Sequence, residues 1–150
     1  MDNFIKRMDE AMVQLCNYSD IVDEKCRDYG CGTEMSAREI HLLEAVHNHP
    51  DLNASELSEK LGHRKGTFSK MAHRLETSGL LIRYHNENNR KAVFYRLTEM
   101  GTRAYEGHYR FHERTSPATY EYFHYYTEEE QRTILDFIEH YTNYLKEYLK

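Results

Sequence analysis

The sequence lacks long apolar runs and is poor in proline and cysteine. No stretch approaches the roughly 18 consecutive apolar residues of a membrane-spanning helix, so we predict no membrane span. The first residues include no apolar secretory segment, which predicts a cytoplasmic protein. In that compartment Cys16, Cys26 and Cys31 are expected to be free thiols or metal ligands rather than disulfides. With only Pro50 and Pro117 to interrupt helices, the composition favours a mainly helical architecture.

Charge is unevenly distributed along the 150 residues, whose formal net charge is −5. Residues 54–104 contain ten Lys and Arg against five Asp and Glu, whereas the remainder contains ten against twenty. A basic central segment between acidic flanks suits a protein that presents one face to DNA. The length is sufficient for one domain with its own core.

Helix signals cover most of the chain. Apolar positions three or four residues apart predict a long amphipathic helix over 3–28. For residues 115–126 the sequence leaves open a helix continuation or a bent connection. Three residues have the Ser/Thr/Asn-x-x-Glu spacing of a capping box, namely Ser36, Asn53 and Thr127. Thr98 is predicted to cap another helix. The helices predicted from these caps and from glycine stops are 36–47, Asn53 to Gly62, 65–78, Thr98 to about Arg114, and one that follows Thr127.

Residues 81–85 and 92–97 favour strands, and the residues between them favour a turn. Two helices, a turn, a third helix and a two-stranded ribbon form the order of a winged helix-turn-helix, so the predicted fold class is mainly α with a small β-wing. The third helix and the ribbon tip offer polar and basic side chains for phosphates and base edges. The predicted DNA contacts are Arg64, Lys65, Thr67, Ser69, Lys70, Arg74, Arg90 and Lys91.

Two histidines four residues apart, His108 and His112, lie in one predicted helix. They therefore share a helix face, on which both rings can bind one metal ion. His41 lies on a different predicted helix, and a metal bound by all three would connect segments that flank the DNA-reading core. A zinc hydrolase using the same residues is an alternative, but it needs an open coordination position and a general base, and no His-Glu-x-x-His pattern occurs.

Three segments resemble the MarR family of dimeric bacterial repressors: LNASELSEKLG (52–62), SKMAHRLETSGL (69–80) and NRKAVFYRLTEMG (89–101). The resemblance extends over essentially the whole chain. It implies one MarR-like domain over 1–150, with dimerisation helices at 1–35 and 105–150 around a winged core at 36–104. It also implies a homodimer that binds double-stranded DNA at a pseudo-palindromic operator and is not an enzyme. In the last helix, Ile134, Ile138, Tyr141, Leu145 and Tyr148 have the alternating steps of a coiled-coil seam, which independently favours a dimer.

Within that family, the histidines resemble those of the zinc-responsive AdcR/ZitR branch. Matched residue by residue, the resemblance implies a Zn(II) site formed by Glu24, His41, His108 and His112, with Asp23 as the alternative carboxylate. Three imidazoles and one carboxylate form a closed tetrahedral set that suits zinc.

The same branch has a second metal site built from one cysteine and two glutamates. Here Cys31 is the candidate thiolate, and the positions expected for the carboxylates hold Ile40 and Gly107. Glu39 and Glu106 are adjacent to those positions and are the candidates for the second site.

Thiol sensing is the main alternative to metal sensing. The segment Val13-Gln-Leu-Cys16-Asn-Tyr18 resembles the first-helix cysteine segment of organic-peroxide sensors in the same family. A reactive cysteine there requires a lowered pKa and nearby tyrosine hydroxyls, for which Tyr18 and Tyr29 are candidates.

Overall fold

The computed structural model describes residues 3–87 and 89–149. It is mainly helical with a small antiparallel wing, which confirms the predicted fold class. In the wing, two strands pair antiparallel with Leu81 opposite Leu97. The elements in chain order are α1 (Asn3–Asp23), β1 (Arg27–Asp28), β2 (Glu34–Met35), α2 (Ala37–Asn48), α3 (Ala54–Lys60), α4 (Lys65–Thr77), β3 (Leu81–Asn86), β4 (Asn89–Leu97), α5 (Glu99–Phe123) and α6 (Glu128–Tyr148). Position 88 of the predicted wing turn lies outside the described residues.

Side-chain caps begin three helices where the sequence predicts them. In each, the cap side chain accepts a hydrogen bond from the third helical N–H, and the glutamate at that third position accepts one from the backbone N–H of the cap residue. Two of the N–H groups that a helix start leaves without a partner are thereby satisfied. The three pairs are Ser36 with Glu39, Asn53 with Glu56, and Thr127 with Glu130.

The first helix is shorter than predicted and a small hairpin follows it. Helix α1 ends at Asp23 rather than near residue 28, and β1 pairs with β2. The Asp28 carboxylate accepts backbone hydrogen bonds from Cys31, Gly30 and Gly32, and these bonds lower its pKa. Such side-chain to backbone bonds compete with helical ones, and the apolar period of the sequence does not register that competition.

The fifth helix is longer than its predicted end near Arg114. Helix α5 continues to Phe123 with Pro117 inside it, so the segment 115–123 is a helix continuation. Pro117 lacks an N–H and leaves the carbonyl of Glu113 without its usual helical donor. The sequence leaves this segment open because it is rich in aromatic residues, a composition that selects neither alternative.

The core of the winged region is built from α2, α4, β3 and β4. Helix α5 packs closely on the residue that precedes β3, since a Cβ added to Gly101 would overlap the carbonyl oxygen of Leu80. The apolar spacing of α3 and α4 predicts six inward-facing side chains, of which those of Leu61 and Met71 are half-buried. The others are fully buried, namely Leu57, Phe68, Ala72 and Leu75.

The chain divides into two compact units, one ending at Arg110 and the other beginning at Phe111. In the first unit, α1 buries none of its residues although it carries apolar side chains such as Val13 and Leu15. In the second unit, α6 also buries none of its residues. The predicted seam is half-buried at Tyr141 and exposed at Ile134, Ile138, Leu145 and Tyr148. No helix among the described residues combines the length and apolar character needed to cross a membrane.

Candidate nucleic-acid interface and metal centre

The exposed face of α4 carries most of the side chains predicted to contact DNA. Helix α4 buries Phe68, Ala72 and Leu75, so its polar positions project away from the core. Arg64 is the residue immediately before the helix, and β4 carries the two predicted contacts of the wing. All eight predicted contacts are exposed: Arg64, Lys65, Thr67, Ser69, Lys70, Arg74, Arg90 and Lys91. Helix α4 and the wing therefore both present basic groups to solvent.

Arg74, the eighth predicted DNA contact, also makes contacts within the protein. Its Nη1 donates to Oε1 of Glu39, and its Nη2 donates to the carbonyl oxygen of Glu34 at 2.9 Å. Glu39 is buried, and its Oε2 accepts the backbone N–H of Ser36 at 2.9 Å. Arg74 therefore anchors α4 to α2 and β2, because the buried carboxylate requires a charged partner. Sequence reasoning missed the pair because its members are 35 positions apart.

We expect Arg74→Ala to lower the free energy of unfolding by about 1–3 kcal/mol, because the buried Glu39 carboxylate loses its charged donor. The matched control is Lys70→Ala, which removes a cation from the exposed face of the same helix and should change stability by less than about 0.5 kcal/mol. Urea denaturation followed by circular dichroism measures both. Equal stabilities of the two variants would contradict the anchoring role.

Three histidines meet between α2 and α5. The ligand nitrogens of His41, His108 and His112 lie within 4.8 Å of one another. The His108 ring is buried, and its centroid lies 5.3 Å from that of His41. His112 follows one turn later on the same helix and is exposed. Zn–N bonds of about 2 Å require the nitrogens to move closer together, which rotation of the two exposed rings allows.

The predicted carboxylate ligands are not part of this cluster. Among the described residues, the cluster contains the three histidines alone. Asp23 accepts a hydrogen bond from Nε of Arg38 at 3.4 Å, and Glu24 is exposed in the turn that follows α1. Burial lowers the pKa of His63, and the positive charge of Arg38 lowers it further. The structure thus brings together three of the four predicted ligands.

One carboxylate near the cluster was missed by sequence reasoning. Oε2 of Glu44 lies 4.0 Å from Nδ1 of His108. Glu44 follows His41 by three positions on α2, so the two residues share a helix face. That spacing was the available signal, but nothing in the sequence indicates that this face meets His108.

Tyr29 covers one side of the buried histidine. The ring of Tyr29 meets that of His108 edge to face, with centroids 5.2 Å apart, and burial raises the pKa of Tyr29. Helix α5 can approach this closely because Gly107 has no side chain: an added Cβ would overlap the carbonyl oxygen of Tyr29. There is consequently no room at position 107 for the carboxylate that the zinc-responsive branch has there.

The candidates for the second metal site do not converge. Sγ of Cys31 lies 3.7 Å from the carbonyl oxygen of Thr33, and Glu106 pairs with Arg110 at 3.8 Å. Glu39 is occupied by its capping and Arg74 contacts. Within the described part of the chain these three residues form no metal-binding group. All three cysteines are free, and Cys16 and Cys26 are exposed.

Comparison with known proteins matches the winged region to one family. Residues 35–93 match the model of the MarR family. The chain is 30% identical over 103 residues to YhjH of Bacillus subtilis, described as an uncharacterized HTH-type transcriptional regulator. That match includes 69% of this chain but only 59% of the length of YhjH.

Two solved structures share the fold of this chain over nearly its whole length. Streptococcus pneumoniae FabT, solved in complex with DNA, superposes with a TM-score of 0.69 at 23% identity, covering 97% of this chain and 99% of FabT. The chain has the MarR winged helix-turn-helix fold. Lactococcus lactis ZitR, described as a zinc-responsive MarR family member, superposes with a TM-score of 0.66 at 17% identity, covering 95% of this chain and 99% of ZitR. At these identities the structures establish the MarR fold alone.

Proposed function

We propose that this protein is a MarR-family transcriptional regulator, acting as a repressor, that binds operator DNA as a homodimer under the control of Zn(II). The observation that carries DNA binding is the exposed basic face of α4 beside a basic wing, on a core of the MarR fold. The description of YhjH as a regulator and of FabT as a DNA complex supports this assignment. No comparable observation favours the hydrolase alternative.

Exposed apolar surface supports the dimer. Helices α1 and α6 bury none of their residues, yet Leu15, Ile138 and Leu145 on these helices are apolar. Burial of apolar surface contributes about 25 cal/mol per Å², so covering both helices by a second copy is favourable. A two-fold dimer presents two recognition helices to half-sites about one turn of DNA, or ~34 Å, apart, which requires a pseudo-palindromic operator.

We expect operator affinity to fall steeply with salt, because cations of the interface displace counterions from phosphates. Lys70→Ala should weaken binding to all sequences and reduce the salt slope by about 1, whereas Thr67→Ala should alter base preference. Lys146→Ala on α6 is the control, since it removes the same charge outside the DNA interface. Fluorescence anisotropy across a salt series measures these effects. An affinity independent of salt, or a monomer at micromolar concentration, would contradict the proposal.

The donor set of the histidine cluster fits zinc. Imidazole nitrogens are borderline ligands that zinc readily accepts, and three of them already lie within 4.8 Å of one another. His41, His108 and His112 would hold the ion, with Glu24 as the fourth ligand implied by resemblance. A bound zinc would link α2, which leads into the winged core, to α5. The description of ZitR as zinc-responsive supports the choice of metal.

We expect one Zn(II) per subunit, and the double variant His108→Ala, His112→Ala should lose most of the affinity because two of the three converging nitrogens are removed. His124→Ala is the control, as an exposed histidine outside the cluster. Competition with a chromophoric chelator gives the affinity, and elemental analysis of untagged protein gives the stoichiometry. Stoichiometric tight binding by the double variant would rule out the cluster as the site.

We expect zinc to strengthen operator binding. A coupling of about 1–3 kcal/mol would change affinity about 5–150-fold, and linkage requires DNA to tighten zinc binding by the same factor. Titration of operator DNA with and without chelator at fixed ionic strength measures the coupling. Equal affinities would exclude a metal switch. Release of DNA by peroxide that is abolished by Cys16→Ser would instead favour the thiol-sensing alternative.

A further inference from the structure

We propose that Glu44 is a positioning residue that orients His108 for metal binding, an inference that rests on the proposed zinc site. The observation is the distance of 4.0 Å between Oε2 of Glu44 and Nδ1 of His108. This proximity emerges from the packing of α2 against the first half of α5, which places the Glu44 carboxylate beside one specific nitrogen of a buried ring.

The two nitrogens of His108 then have separate tasks. A histidine that binds a metal through one nitrogen usually donates the N–H of the other to a carboxylate, a backbone carbonyl or water. Because Nδ1 faces Glu44, Nδ1 carries the proton and Nε2 is the nitrogen offered to the ion. The carboxylate thereby selects the tautomer of the imidazole and makes the ligating nitrogen more basic.

Differences in burial explain why orientation matters at this position. His108 is only 4% exposed and is packed against the rings of Tyr29 and His41. A ring enclosed in this way has little access to water for the proton on its second nitrogen. The Glu44 side chain is 42% exposed and so retains freedom to rotate. Rotation of this side chain can shorten the 4.0 Å separation toward a charge-assisted hydrogen bond of about 2.8 Å, or one water can bridge it.

Glu44 acts from outside the ligand set. It does not belong to the group whose ligand atoms all lie within 4.8 Å of one another. Its neighbour His41, three residues earlier, does belong to that group. Helix α2 consequently contributes twice, supplying one ligand directly and orienting a second that is carried by α5. Metal binding therefore depends on how α2 and α5 pack together.

The test compares zinc affinities of the wild type, Glu44→Gln and Glu59→Gln by competition with a chromophoric chelator. Glutamine keeps the size of the side chain, and Glu59→Gln on α3 removes the same charge at an exposed position away from the cluster. Loss of an outer carboxylate partner weakens metal affinity about 10–100-fold, so Glu44→Gln should fall in that range while Glu59→Gln stays at the wild-type value. Wild-type affinity in Glu44→Gln would overturn the inference and leave the zinc site intact. Absence of zinc binding by the wild type would overturn both.

A second readout separates orientation from a general loss of stability. Long-range ¹H–¹⁵N correlation spectra of the zinc-loaded wild type should show His108 protonated at Nδ1 and coordinated through Nε2. Coordination through Nδ1 would overturn the inference even if Glu44→Gln weakens binding. Circular dichroism should show the same helix content for all three proteins. Unfolding of Glu44→Gln alone would assign Glu44 to the stability of the fold and would overturn its role as a positioning residue.

Discussion

The buried carboxylate of Glu39 is the contact on which the arrangement of the winged region depends. One of its oxygens completes the capping box that begins α2, and the other accepts a hydrogen bond from Arg74 on α4. Arg74 in turn donates to the backbone of β2. A buried charge is tolerated only when it is paired and hydrogen-bonded, so these contacts constrain one another. Helix α2 therefore contacts α4 through Glu39, and it also carries His41 of the histidine cluster.

A close backbone approach has a comparable effect on the other side of the cluster. Because Gly107 lacks a side chain, α5 lies against the backbone of Tyr29, and the tyrosine ring then covers His108. The loop that carries Tyr29 is held by the Asp28 carboxylate, which accepts hydrogen bonds from successive backbone N–H groups. The same glycine leaves no space for a carboxylate at its position. One steric condition thus accounts for both the burial of His108 and the exclusion of a larger side chain at position 107.

Local chemistry made much of the fold predictable. Ser36, Asn53 and Thr127 satisfy helix N–H groups that are their immediate neighbours, so their roles follow from spacing alone. Predictions became wrong where local signals competed. The apolar period of α1 continues past Asp23, but side-chain hydrogen bonds in the following turn end the helix. The extent of α5 was undecided in the aromatic-rich segment after Arg114, through which the helix continues to Phe123.

The sequence by itself determined the elements of the site: a histidine pair at helical spacing, basic side chains on the exposed face of a recognition helix, and the caps that begin the helices. Only the tertiary structure decided which of these residues meet. It brought His41 to His108, placed Glu44 beside Nδ1 of that ring, left Glu24 outside the cluster and engaged Arg74 with Glu39. The physical reason is that spacing along one helix fixes which side chains share a face, whereas contacts between helices depend on how closely their backbones can pack.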